Sequence, residues 1–253
     1  MITSRRTAPV LAALLAVVAI ALFGCSSMPE IGSDVTTEDA YALGVAAAEK
    51  GDHLYAIEAM NRVLARSPLH ELADDALLAL AKSRQAMGDY PAAEQEYHRV
   101  PAEYPRSPLV AEAAYRLGLT YYDQSRPAAL DQTMTERAIA QLSRFLTEHP
   151  DSPFTEPARE RVAELRSRLA EKTYESGRLY VLLKSGRAAR VYFEAVARDY
   201  ADTPWAPRAL LALARSAATD GAHDEARAAY ERLVLLYPQS DEAAAAALEM
   251  AAP

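Results

Sequence analysis

The sequence repeats one helical pattern five times, and this repetition limits the possible folds more than any other feature. An alanine recurs at the same place in every copy: Ala56, Ala93, Ala138, Ala189 and Ala226. Large apolar residues stand four and seven places after each of these alanines. This spacing puts the three side chains on one face of a helix. Each copy therefore contains an amphipathic helix that a neighbouring helix can approach closely at the alanine.

A second helix is expected before this one in each copy. Its middle carries a small residue, which lets the two helices cross in contact: Gly44, Ala81, Gly118, Gly177 and Ala214. Glycines at positions 51, 88, 186 and 221 stand between the helices, where a chain leaving a helix turns left-handed. Helix pairs repeated in this way are typical of tetratricopeptide repeats. The predicted fold class is all-α, a superhelical array of five tetratricopeptide-like helix pairs; an irregular helical bundle would not explain the five alanines.

Two departures from the regular repeat are informative. The third copy contains eight extra residues around positions 125–135, between its two helices. The fourth copy is 14 residues longer than the shortest copies, and only Gly177 interrupts the helical pattern between Pro157 and Lys184. The sequence therefore predicts an inserted loop in the third pair and one long first helix in the fourth.

The N-terminus has the features of a bacterial lipoprotein signal peptide. Arg5 and Arg6 precede an apolar run at 10–23, which is too short for an ordinary membrane-spanning helix. The run ends in LFGC at 22–25, which resembles a lipobox and makes Cys25 the candidate lipid attachment site. An uncleaved anchor helix, or a signal peptide cut elsewhere, is the alternative. The predicted organisation is a signal peptide at 1–24, a lipidated cysteine and flexible tether at 25–38, and a repeat domain at 39–253.

Composition excludes several classes of function. The net charge of −8 argues against nucleic-acid binding, which needs a basic surface. Cys25 is the only cysteine, so neither an intrachain disulfide nor a cysteine metal cluster is expected. The five histidines lack metal-ligand spacing, and no nucleophile motif accompanies them. The sequence thus predicts no enzyme activity, no metal and no cofactor apart from the covalent lipid on Cys25.

Three stretches carry a resemblance to a known family. They are DQTMT at 131–135, LAEKTYESGRLY at 169–180 and ARDYADTP at 197–204. With the lipobox and the long fourth helix, they make residues 39–241 resemble the BamD family of outer-membrane β-barrel assembly lipoproteins. The resemblance implies a scaffold on the periplasmic face of the outer membrane, held there by its lipid (palmitate and related acyl chains).

The same resemblance implies the partners. The C-terminal repeats would dock on the barrel-bearing subunit BamA, alongside other assembly-machinery lipoproteins. The N-terminal repeats would receive unfolded outer-membrane proteins. The alternative function is another lipid-anchored tetratricopeptide adaptor, which organises peptidoglycan or cell-division envelope complexes.

Candidate binding residues follow from the repeat geometry, because repeat arrays bind partners on the concave face lined by the first helices. The peptide-binding candidates occupy equivalent places on these helices: Tyr41, Val45, Leu78, Lys82, Tyr115 and Tyr122. Either Tyr41, Leu78 and Tyr115 form an exposed apolar cradle, or these side chains pack between units. Arg187 and Arg190, beside the fourth turn, are the candidates for docking the membrane partner through acidic residues.

Overall fold

The computed structural model describes residue 32 and residues 34–251, and this part of the chain is helical without any strand. The predicted signal peptide, Cys25 and most of the predicted tether lie outside the described residues. The helices have these bounds: α1 Thr37–Glu49, α2 His53–Arg66, α3 Ala73–Ala86, α4 Tyr90–Glu103, α5 Val110–Asp123, α6 Thr133–Glu148, α7 Thr155–Leu182, α8 Gly186–Asp199, α9 Trp205–Thr219, α10 His223–Leu236 and α11 Asp241–Ala251.

The described residues form a succession of helices without strands, which confirms the all-α, tetratricopeptide-like fold. The chain divides into two compact units, one ending at Ser83 and the other beginning at Arg84. In the first unit α1 packs against α2, and in the second each helix from α4 to α11 packs against the next. The first helices also contact one another there, α7 with α9 and α9 with α11. The helix α11 follows the fifth pair and was not part of the predicted pattern.

The recurring alanines lie where the sequence predicts close helix packing. Ala56, Ala93, Ala138 and Ala189 are fully buried, and Ala226 is nearly so. Glycine is needed at some crossings, because a Cβ atom on Gly118 would lie 2.7 Å from Leu142 Cγ. Real Cβ atoms do not approach other carbons that closely. The small residues therefore set how near the two helices of a pair come together.

The long first helix of the fourth pair is confirmed, since α7 has 28 residues. Gly177 lies within it without breaking it, and a Cβ atom there would lie 2.6 Å from Phe193 Cε1 on α8. The ring of Tyr174 also packs on Phe193, with centroids 5.4 Å apart. These contacts fix the C-terminal half of α7 against α8.

The fourth turn differs from the prediction, which placed a turn glycine at 186. Gly51, Gly88 and Gly221 have positive φ, each five residues before its buried alanine. The residue at this place in the fourth pair is Lys184, with φ 57°, while Gly186 already begins α8. A glycine is nevertheless required at 186, because a Cβ atom there would collide with the Asp220 carboxylate. A left-handed lysine costs about 1 kcal/mol relative to glycine.

The predicted insert is the loop between α5 and α6, and Gln132 organises it. The side-chain amide of Gln132 donates to the carbonyl oxygens of Pro127, Leu130 and Arg126, at 2.8, 3.1 and 3.3 Å. Its oxygen accepts a hydrogen bond from Thr135 Oγ1 at 2.8 Å. Gln132 is buried and Thr135 is fully so. One buried side chain thus hydrogen-bonds to three carbonyl groups of the loop and to one hydroxyl group of α6.

Gln132→Ala is expected to lower the free energy of unfolding by about 1–3 kcal/mol, because it leaves buried polar groups without partners. The measurement is urea denaturation followed by circular dichroism. Gln95→Ala on the exposed side of α4 is the matched control and should have almost no effect. Faster amide hydrogen exchange at 128–133 should accompany the loss. Unchanged stability and exchange would contradict the organising role of Gln132.

Candidate partner-binding surfaces

Four of the predicted peptide-binding residues lie in the first unit. Tyr41 and Val45 of α1 are partly buried, as is Lys82 of α3. Leu78 is buried, with only 3% of its surface exposed. Burial raises the pKa of the Tyr41 hydroxyl, and the nearby carboxylates of Asp75 and Asp74 raise it further. Tyr41, Val45 and Lys82 therefore keep part of their surface for a partner, whereas Leu78 belongs to the core.

The other two, Tyr115 and Tyr122, lie in the second unit. Tyr115 is 8% exposed, and its ring stacks on Phe154 with centroids 5.0 Å apart. Tyr122 is partly buried and donates its hydroxyl to Glu164 of α7 at 2.7 Å. The guanidinium of Arg161 lies over the Tyr122 ring, 4.6 Å from its centroid. Both tyrosines thus join α5 to the segment that follows α6.

Of the two alternatives for the apolar candidates, packing applies to Leu78 and Tyr115. Both side chains are buried, so an exposed apolar cradle does not include them. Phe154, which the repeat pattern does not mark, stacks on Tyr115 and removes its ring from solvent. Burial also raises the pKa of the Tyr115 hydroxyl.

The two docking candidates differ from each other. Arg190 is held inside the second unit: it forms ion pairs with Asp220 and, at 3.2 Å, with Glu225, and its side chain is only 13% exposed. Its role in the structure is to tie α8 to the turn before α10. Arg187 is exposed and forms no ion pair within the part of the chain that is described. Arg187 thus remains available for docking, whereas Arg190 is engaged.

Apolar side chains flank Arg187 at the fourth turn. Leu179 and Leu183 near the end of α7 are 53% and 64% exposed, and Val191 on α8 is 67% exposed. We call Leu179, Leu183, Arg187 and Val191 the turn surface. The stacked rings of Tyr180 and Tyr192, with centroids 5.2 Å apart, join the two helices beside it. The sequence does indicate this surface. Five apolar or aromatic residues follow one another in LYVLLK at 179–184, so they point to all sides of the helix, and one neighbouring helix can cover only some of them.

An open cleft with a volume of about 850 Å³ lies elsewhere in the second unit, between α7 and α9. This α7–α9 cleft has an apolar floor made of Tyr174, Val181, Leu182, Phe193, Leu211 and Ala212. The Trp205 ring packs on the ring of Tyr174, with centroids 5.2 Å apart. Cavities of this size and composition are typical of ligand sites.

The charged residues of the cleft are mostly basic. Its lining contains Arg178, Lys184, Arg208 and Arg215, against Asp220 and Glu242. Each arginine is oriented by one carboxylate: Arg178 by Glu175, Arg208 by Glu242 and Arg215 by Glu249. Lys184 forms no ion pair with any described residue, and its side chain is exposed. A chain with a net charge of −8 therefore has a locally basic cleft.

The described residues offer neither a metal site nor a membrane-spanning helix. Residues 34–251 contain no group of three or more histidine, cysteine, aspartate or glutamate side chains able to hold a metal ion. Among the helices that the structure describes, none is long and apolar enough to cross a membrane.

Comparison with known proteins gives the following similarities. The sequence model of the family YfiO, described as outer membrane lipoprotein, matches residues 33–233. The outer membrane protein assembly factor BamD of Vibrio cholerae is 27% identical over 199 residues, which cover 75% of this chain and 83% of that protein. BamD of Haemophilus influenzae is 24% identical over 202 residues, which cover 76% of each chain.

Solved structures with similar folds include two tetratricopeptide proteins. The TPR2AB domain of yeast Sti1, in a pHSP90 complex, is 17% identical with a TM-score of 0.48, covering 85% of this chain and 84% of that one. A tetratricopeptide repeat protein from Parabacteroides merdae is also 17% identical, with a TM-score of 0.37, and covers 85% of this chain and 73% of that one.

Proposed function

This chain belongs to the YfiO family of outer membrane lipoproteins, and we propose that it acts as a non-catalytic scaffold in outer membrane protein assembly. The observation that carries the proposal is the family match over residues 33–233, which reaches from before α1 into α10. The two BamD relatives, each matched over three quarters of this chain, are named assembly factors. Stacked helix pairs present broad surfaces for binding other proteins.

The turn surface is the proposed docking site for the barrel-bearing subunit BamA. Three exposed apolar side chains stand within eight residues of Arg187 in the chain, on either side of the fourth turn, and Arg187 has no ionic partner within the described residues. Apolar area supplies most of the free energy of association, while a charged residue at the rim selects a partner with acidic residues. The expected partner surface is therefore apolar with at least one carboxylate that meets Arg187.

Unfolded barrel proteins are proposed to bind the first unit through Tyr41, Val45 and Lys82. These three residues are partly exposed, unlike Leu78. Tyrosine offers a broad apolar ring with a hydroxyl donor, and lysine offers a cation that attracts a carboxylate. A lipid on Cys25 is proposed to hold the protein on the periplasmic face of the outer membrane.

The experiment that tests the docking proposal is a crosslinked pull-down from membranes, with identification of the bound proteins by mass spectrometry. The double variant Leu183→Glu with Arg187→Glu is expected to lose most of the barrel-bearing subunit. Both side chains are exposed, so the variant should fold normally. Arg190 is left intact, because its substitution would break the ion pairs with Asp220 and Glu225.

Leu235→Glu with Arg227→Glu on α10 is the matched control, since these residues are also exposed and the change in charge is the same. The control variant should retain the subunit. Equal recovery from both variants would contradict docking at the turn surface. Recovery of peptidoglycan enzymes in place of assembly components, already from the parent protein, would contradict the function in assembly itself.

A further inference from the structure

We propose that the α7–α9 cleft binds a short segment of a partner protein in which an acidic residue stands next to apolar residues, with the carboxylate paired to Lys184. The cleft lies between α7 and α9, and the turn surface is formed by other residues. Three features of the structure support the proposal: the backbone at Lys184, the charge of the lining and the exposed apolar floor.

The backbone conformation of Lys184 is unfavourable for folding. Three other helix pairs have glycine at this place, and glycine adopts a positive φ without strain. Lys184 has φ 57°, and it forms no ion pair with another described residue. No ion pair of its side chain therefore compensates for the strain. Strained residues of this kind concentrate at binding sites, where the side chain is needed for a ligand.

The charge of the lining selects an anionic partner. Four cations line the cleft against two carboxylates, and one of these, Asp220, is already paired with Arg190. Arg178 and Arg215 are each held by a carboxylate and remain half-exposed. A guanidinium has five N–H donors, so each arginine keeps donors for a second acceptor. A carboxylate in the cleft would meet Lys184 directly and these arginines at the rim.

The floor of the cleft requires an apolar component in the ligand. Leu182 lines the cleft and is 77% exposed, and Tyr174 and Ala212 are partly exposed beside it. A free carboxylate or phosphate would leave this apolar area in water. A peptide with apolar residues next to an acidic one would cover it and also use the cations. The chemistry of the floor and the rim together thus fits a peptide segment rather than a small anion.

The test uses the purified protein and fluorescein-labelled synthetic peptides, with binding measured by anisotropy. The probe is a short peptide of alternating leucine and aspartate, compared with its asparagine and lysine counterparts. The acidic peptide is expected to bind about tenfold more tightly than the asparagine peptide, and the lysine peptide more weakly still. Binding should also weaken as the salt concentration rises.

The variant Lys184→Gly separates binding from stability. It removes both the cation and the strain, so the melting temperature should not fall while affinity for the acidic peptide falls about tenfold. Lys184→Arg should retain the preference for the acidic peptide. A residue with a purely structural role would not give unchanged or higher stability together with weaker binding.

Leu182→Ser in the cleft and Leu69→Ser in the first unit form a matched pair, since both leucines are largely exposed. Only Leu182→Ser should weaken peptide binding. The proposal is overturned if the acidic peptide has no preference over its asparagine counterpart, or if Lys184→Gly binds it as well as the parent. Neither result affects the docking proposal, because the turn-surface variants leave Lys184 and Leu182 unchanged.

Discussion

Gly118→Val is expected to lower the free energy of unfolding by about 3 kcal/mol, because the crossing of α5 and α6 has no room for a side chain. The nearest group is Leu142, whose Cγ would lie 2.7 Å from a new Cβ atom. Leu142 is fully buried and packed, so it cannot swing aside without disturbing the core. Urea denaturation followed by circular dichroism measures the loss.

A double-mutant cycle tests the cause. Leu142→Ala alone should cost about 2–5 kcal/mol through the cavity it leaves. Combined with Gly118→Val, the total should be smaller than the sum, since the valine fills part of that cavity. Ala140→Val, at an exposed position of α6, is the matched control and should cost less than about 1 kcal/mol. Strict additivity of the two core substitutions would show that the side chains do not compete for the same space.

Cys25→Ser is expected to remove most of the protein from the outer membrane, because the proposed lipid is its attachment. Each buried methylene of an acyl chain contributes about 0.8 kcal/mol to membrane binding, so losing the acyl chains is a large effect. The measurement is the amount of protein in washed outer membranes, together with incorporation of labelled palmitate. Ser26→Ala is the control, and it should change neither quantity.

The same variant should fold normally, since Cys25 precedes the helices of both units. Its urea denaturation curve should match that of the parent. Retention of Cys25→Ser in washed outer membranes would contradict lipid anchoring, and it would indicate that protein contacts such as those of the turn surface hold the chain there.

The helix pairs could be predicted from the sequence because each copy repeats the same short pattern of small and apolar residues. A small residue followed by apolar residues at helical spacing specifies a crossing, as Ala93 and Tyr97 illustrate, and both are buried as expected. The long helix α7 could be predicted for the same reason, because no residue in its sequence ends a helix. Such features depend on neighbours within a few residues along the chain.

Features that depend on distant residues could not be predicted. Arg190 was a docking candidate, yet Asp220 pairs with it from 30 residues away. Tyr115 was a candidate for an exposed cradle, yet Phe154 covers its ring. A single sequence does not indicate which residues far apart in the chain come into contact in the fold. The left-handed residue of the fourth turn was predicted at Gly186, because glycine adopts a positive φ most readily. The structure places it two residues earlier, at Lys184.

The length of α7 has a mechanical consequence. At 1.5 Å per residue its 28 residues extend about 42 Å. Arg168 and Lys172 on this helix hold the insert, through Ser125 Oγ and the Leu130 carbonyl, each at 2.6 Å. Leu179 of the turn surface lies further along the same helix, and Leu183 caps its C-terminus. The helix that holds the insert therefore also carries Leu179 of the turn surface near its other end, and a partner that displaces one of the two regions is expected to move the other.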